Sequence, residues 1–307
     1  MILNLSIGNL IKLYSVSALV SLFFIILWIL FFYVYSPKKT IRIKFLLVAF
    51  ILGISSAFLS LIVEMRLFNY FNIDTSFLDI SFSAKTLSDL IGPLIYSFCF
   101  AAIIEETSKF ILVKKLFDLT NINQVIDGMK IGLALGLGFA LIENSIYFSA
   151  VITQTSDKIA AVFILRGVLS TLAHGIYGIV MGYYLSLAKF YEKLHTHFVW
   201  RALIASFLIH GLFNFFLIIQ LGFYSLFMLV FLLVAAVLWY NDRKNLELRI
   251  TMGDKTLVVP PFLAEKLEFD IWKGKKVSRE DYLEKLWNIL LETDERKNEH
   301  INKNKED

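Results

Sequence analysis

Four apolar stretches of this chain carry ionisable residues in their interiors. They read IIEETSKFIL (Glu105, Glu106, Lys109), GLGFALIENSIYF (Glu143, Asn144), LRGVLSTLAHGIYG (Arg166, His174) and FLIHGLFNFF (His210, Asn214). A charge at the centre of a bilayer costs roughly 2.5–3.5 kcal/mol on insertion scales. Paired acids, a third acid and two histidines in such surroundings therefore need one another, a metal ion or trapped water.

The chemistry that these side chains offer is hydrolytic. Carboxylates and imidazoles act as general bases and acids and ligate hard or borderline metals. Glu143, His174 and His210 make a two-histidine, one-carboxylate set that suits Zn2+ and leaves a position open for water. One of Glu105 and Glu106 would then be the base acting on that water. A metal-free version is equally open, with Glu105 activating water and His210 and Asn214, i,i+4 on one helix face, polarising the scissile carbonyl. Adjacent helical residues project about 100° apart, so only one of the two acids is expected to face the site. The other, with Lys109, would be structural. No serine on a GxSxG turn, no Cys–His pair, no HExxH and no phosphate-cradling glycine loop is present.

Plainer readings exist for each group. Lys109 is i,i+4 from Glu105 and i,i+3 from Glu106, so one pair could simply neutralise itself along the helix. Arg166 reads as a counter-charge. Gly128, Gly132 and Gly136 have the spacing of close helix packing, and His195 and His197 read as solvated residues of a basic loop. Self-neutralisation leaves a second carboxylate and Glu143 unexplained.

The elements that must position these residues are membrane helices. The chain is 57% hydrophobic with a mean hydropathy of +0.67. Residues 1–241 hold 27 of the 56 charged residues, although they form most of the chain. A membrane domain, 1–241, followed by a polar tail, 242–307, is therefore expected. The net charge of +4, without a basic stripe interleaved with aromatics, argues against nucleic acid as a partner. The single cysteine, Cys99, excludes an intrachain disulfide. Hydropathy predicts seven spans, near 13–35, 45–65, 88–113, 129–150, 159–188, 199–219 and 222–240. The first is too long for a signal-peptide core and is read as retained. An all-α polytopic bundle of about seven transmembrane helices follows, its partners the lipid bilayer and a membrane-protein substrate.

Lys38, Lys39, Arg42 and Lys44, then Lys114, Lys115 and Lys130, then Lys189, Lys193 and Arg201, mark alternate loops as basic. The positive-inside rule then puts the N-terminus outside and the tail in the cytoplasm. At about 1.5 Å per residue, Glu105, Glu143, His174 and His210 fall within about 10 Å of one depth. A shared polar chamber, opening toward the cytoplasmic half, is the expected arrangement. Proton-coupled transport is the competing reading for such groups, but the sequence lacks the two-fold internal repeat with paired broken helices that transporters carry. A non-catalytic receptor or scaffold is the third.

The ordered set EETSK (105–109), DGMKIGLALGLGFALIEN (127–144), RGVLSTLAHGIYG (166–178) and HGLFN (210–214) resembles the PrsW family of bacterial intramembrane proteases. Phe139, Glu143 and Asn144 match its FxxxEN segment, His174 its following histidine, and His210 and Asn214 its HGxxN. The resemblance covers roughly residues 88–220. It implies a protease of the bacterial inner (cytoplasmic) membrane acting on a single-pass anti-sigma factor in regulated proteolysis. The family is similar to the type II CAAX prenyl endopeptidases and abortive-infection membrane proteins, in which a histidine commonly stands where this chain has Glu143. That departure leaves a metal and a glutamate mechanism both open.

In the tail, LELRITMGDKTLVVPP predicts a strand pair around Gly253-Asp254. The run from Ser278, with Asp281 three residues on and a Leu283, Leu286, Trp287, Leu290, Leu291 stripe, predicts an amphipathic helix.

Overall fold

A computed structural model describes residues 7–34, 41–72, 84–120, 122, 125–152, 165–190, 194–219, 249–252, 255–258 and 287–288, with 221, 223–224, 226–230 and 232. The chain divides into two units, Met1–Val237 and Leu238–Asp307.

The first unit is a helical bundle: α1 (Ile7–Val34), α2 (Ile43–Phe71), α3 (Ile91–Ile95), α4 (Ile103–Leu119), α5 (Val125–Ile152), α6 (Thr171–Phe190) and α7 (His195–Ile218). Among the described residues, six stretches are long and apolar enough to cross a membrane: Ile11–Phe31, Ile43–Phe71, Leu87–Leu119, Val125–Ser149, Arg166–Lys189 and His195–Ile218. The polytopic architecture is as expected. The predicted span 222–240 falls largely outside the described residues. His195 and His197, expected in a loop, lie instead in the first turn of α7, where His195 Nδ1 is 3.0 Å from the Ala188 carbonyl.

Local chemistry sets the ends of these helices. The third span starts at Thr86, where the Lys85 and Thr86 amides donate to Asp89 Oδ2 at 2.9 and 2.8 Å, a reciprocal cap of the first turn. α2 stops at Asn72, which adopts a left-handed φ of 47° and returns its N–H to the Phe68 carbonyl. At the end of α4, Lys189 donates to the carbonyls of Thr120 and of Phe117, the latter also accepting the Thr120 N–H.

α5 and α6 form the centre. Of their most apolar stretches, 61% and 67% are buried, against 17–28% in the other spans. α1 and α2 turn Leu19, Phe23, Leu30, Leu47, Ile51 and Ile62 outward, a face suited to lipid. The central pair meets along a seam of glycines. A Cβ on Gly132 would fall on the Gly178 carbonyl, one on Gly182 on the Gly128 carbonyl, and one on Gly136 on the His174 carbonyl. Backbones this close leave no room for side chains and fix the register of α5 on α6.

Two helical stretches widen to π geometry, Tyr96–Ala102 and Leu165–Ser170. The first ends three residues before Glu105 and the second four before His174, a placement typical of π-bulges near functional groups. Gly211 lets α7 lie directly on the Phe98 ring of the first π stretch. That contact brings His210 to the helix carrying the paired acids.

The second unit contains an antiparallel hairpin, Arg249–Met252 with Lys255–Val258. Met252 pairs with Lys255, leaving Gly253 and Asp254 between the strands, as the sequence predicts. The expected helix from Ser278 lies outside the described residues except for Trp287 and Asn288, which are helical.

Candidate active site

Lys109 is the hub of the polar cluster. It is fully buried, and its Nζ donates to Glu106 Oε1 at 2.7 Å and to His174 Nδ1 at 3.2 Å. Glu105 Oε2 lies 3.8 Å away. The ammonium also sits 3.7 Å from the centre of the Phe139 ring, a cation–π contact that holds its fourth side. Phe139 is one helical turn before Glu143 on α5, so one face of α5 serves both groups.

Two chains of hydrogen bonds leave this hub. In the first, the ammonium presents a proton to His174 Nδ1, which therefore accepts; the ring proton then sits on Nε2 and is donated to Glu143 Oε2. The other oxygen of Glu143 accepts from Arg166 Nη1 at 2.8 Å. Arg166 stacks 3.3 Å over the Tyr147 ring. In the second chain, His210 Nδ1 donates to Glu106 Oε1 at 2.9 Å, and Asn214 Nδ2 donates to His210 Nε2 at 3.0 Å. Tyr177 stacks on the His210 ring, with centroids 4.7 Å apart and planes at 18°. The two imidazoles are edge to face, 5.4 Å apart. All six residues singled out for chemistry thus meet in one cluster, drawn from α4, α5, α6 and α7.

The paired acids differ in their freedom. Glu106 is fully buried, and one oxygen carries both Lys109 and His210. Glu105 is 6% exposed, and its Oε2 has no hydrogen-bond partner. Only Glu105 lines the cavity beside the cluster, while Glu106 is held by Lys109, yet both acids approach one histidine. The His210 ring lies between them, with Glu106 on Nδ1 and Glu105 Oε2 3.9 Å from Nε2. Two long, flexible side chains overcome the angular separation of their Cα atoms.

Beside the cluster lies a cavity of about 220 Å³, lined by Glu105, Glu143, Arg166 and Asn214. Its walls include Ser60, Leu61 and Glu64 of α2, Phe139, Ile142, Ile146 and Tyr147 of α5, Tyr96, and Leu217 and Ile218 of α7. No lining residue comes from the halves of α5 or α7 next to the basic loops. The cavity therefore extends toward the helix ends at Phe71, Ile152 and Ile218, opposite to the expected half. Three of its polar residues, Glu64, Tyr96 and Tyr147, were not anticipated. Glu64 was hidden at the margin of an apolar run, beside Arg66, where a flanking charge is ordinary. Asn144, predicted beside Glu143, turns away and donates to Thr171 Oγ1 at 2.9 Å, tying α5 to the start of α6.

Among the described residues, Glu105, Glu143 and His174 can bring one ligand atom each within 4.8 Å of one another. Two carboxylates and an imidazole at this spacing fit a borderline divalent ion in donor type. In this grouping Glu105 takes the place of His210 from the predicted set, because it is Glu105 whose ligand atom has the required spacing from Glu143 and His174. His174 would join such a set only through Nε2, its proton moving to the nitrogen that faces Lys109.

The family profile described as "PrsW family intramembrane metalloprotease" matches residues 42–239. Proteins named "Protease PrsW" are similar to this chain. That of Clostridioides difficile (strain 630) is 32% identical over 160 residues, covering 51% of this chain and 65% of the relative. The one from Geobacillus kaustophilus (strain HTA426) is 29% identical over 157 residues, covering 50% and 64%. A third, from Halalkalibacterium halodurans, is 31% identical over 158 residues, covering 51% and 69%. The chain thus spans about two-thirds of the length of the relatives it matches, and about half of its own length lies in each match. No solved structure matches it.

Proposed function

The chain belongs to the PrsW family, and from that premise and the geometry above we propose that it is an intramembrane endopeptidase with Glu105 as its general base. The observation that carries this reading is the Glu105 carboxylate, which is buried, lines a cavity large enough for water and a peptide bond, and keeps one oxygen free of hydrogen bonds, with Lys109 and His210 at ion-pair distance only. A water in that cavity would give its proton to Glu105 Oε2 as it attacks the scissile carbonyl. Glu105 then returns the proton to the leaving amine. Asn214 uses one amide proton on His210 and has a second to aim at the developing oxyanion. Glu106 and His210 hold Asn214 in place, and Lys109 holds Glu106. Glu143, tied to His174 and Arg166, forms the opposite wall.

A second reading is favoured by the spacing of Glu105, Glu143 and His174. These three residues would hold a divalent ion, which when bound supplies a water acidified toward neutral pH. In that case Lys109 must yield its contact with His174 Nδ1. Zinc is the ion that this donor set suits best among common ions.

The substrate class is a single-pass membrane protein such as an anti-sigma factor, supported by the family's sequence pattern. Location in the bacterial inner membrane is supported by the family's sequence pattern, and an outside N-terminus with a cytoplasmic tail by the basic loops. Purified protein in proteoliposomes, offered single-span substrates, tests the reading: cleavage is expected from the native chain and not from Glu105→Gln. Cleavage that survives exhaustive chelation supports the glutamate mechanism. Cleavage that chelation abolishes and zinc restores transfers the assignment to the second.

A further inference from the structure

Glu64 is a third acid lining this cavity, with Glu105 and Glu143, and nothing in the hydrolytic scheme uses it. It is carried by α2, which contributes none of the other charged groups of the cluster. Its Oε1 is buried and has no hydrogen-bond partner. The cations nearby are committed elsewhere, Arg166 to Glu143 and Tyr147, Lys109 to Glu106, Glu105 and His174. The cluster and cavity together hold the carboxylates of Glu64, Glu105, Glu106 and Glu143 against these two cations. Glu64 is half-buried, and leaving its buried oxygen without a donor costs free energy, so a donor that arrives with a ligand would be favoured there.

We propose that Glu64 is a specificity-determining residue that receives a lysine or arginine side chain of the substrate next to the scissile bond. Three features select a cationic side chain. Glu64 lines the same cavity as Glu105, so a peptide bond held at Glu105 places its neighbouring side chains within reach of Glu64. Glu64 is seven residues from the end of α2, roughly 10 Å along the helix, and a long basic side chain can snorkel that far from the end of a membrane span. The walls around it include Tyr96 and Tyr147, whose aromatic side chains suit the methylene stem of such a side chain. The site thus matches a span that carries one basic residue within its last two turns.

This inference rests on the protease reading, and the test separates the two. Fluorescent single-span peptides with a Leu/Ala core carry Lys, Leu or Glu at one position, scanned across the last two turns. Binding and cleavage are both measured with the full-length protein in proteoliposomes. At the best position, the Lys peptide is expected to bind and to be cut about 10- to 100-fold better than the Leu peptide, the worth of one charge-assisted contact. In Glu64→Gln the Lys-to-Leu ratio falls toward one, through KM and not kcat, and Glu64→Asp recovers part of it. Three results would overturn the proposal: no preference for Lys in the native protein, a preference that Glu64→Gln leaves intact, or an equal loss for every peptide. Glu64-dependent binding of the Lys peptide without cleavage of any peptide would support the inference and count against the protease reading.

Discussion

Two neighbouring glutamates occupy different electrostatic positions, and this separates their roles. Glu106 shares Oε1 between an ammonium and an imidazole, and its other oxygen is buried without a hydrogen bond and away from the cavity, so its role is structural. Glu105 has an unsatisfied oxygen at the cavity wall. Glu105→Gln should therefore lower kcat by about 10²–10⁴-fold, the usual loss of a general base, while the thermal midpoint stays near that of the native protein. Glu106→Gln breaks a buried ion pair, which costs about 3–5 kcal/mol when one partner is removed. It should lower the thermal midpoint as well as the rate. Equal stability and equal activity in both variants would remove the distinction. Asn214→Ala deletes the proposed oxyanion donor, and a loss in kcat of about 10²–10³-fold is expected, with substrate binding retained. A pure rise in KM would instead make Asn214 a binding residue.

At the scale of elements, the seam between α5 and α6 decides whether Glu143 and His174 meet. Gly132 and Gly178 face each other's backbone, and Gly136 faces the carbonyl of His174 itself. An alanine at Gly132 must push the helices apart. Overpacking of this kind costs about 1–3 kcal/mol, and the displacement also lengthens the contact between Glu143 and His174. Gly132→Ala should reduce both thermal stability and cleavage, whereas Gly8→Ala, with open space around its Cβ, should change neither. Full activity in Gly132→Ala would mean that the seam does not govern the site. Much of this was legible in the sequence. Hydropathy located the spans, and charged residues in apolar runs marked the cluster, because their cost in lipid demands partners. The GxxxG spacing signalled the seam. Side-chain reach was not legible. Angular periodicity put Glu105 and Glu106 on separate faces, yet their length lets both approach one histidine. Nor could spacing reveal that Glu105 comes closer to Glu143 and His174 than the set predicted from sequence requires, which changes the residues able to surround an ion. Glu64 escaped notice because an acid near the end of an apolar run is unremarkable until a cavity is found beside it.

For the whole molecule, the question is which side of the membrane supplies water. Lys-rich segments flank α2, α4, α5 and α7 at one end of the bundle, whereas the cavity extends toward the other, lined by Ser60 and Glu64 of α2 and Tyr147 of α5. If the basic end is cytoplasmic, as charge bias requires, the cavity draws water and substrate from the outer half of the bilayer. Cys99 is the single cysteine of the chain, so Cys99→Ser gives a background in which one new thiol reports its own surroundings. Ser60→Cys should then react with a membrane-impermeant thiol reagent added outside intact cells. Lys114→Cys, on the basic end, should react only after the cells are opened. The reverse pattern would invert the topology. Reaction of both positions from the same side would break the link between the basic loops and the cavity, and with it the account of where hydrolysis takes place.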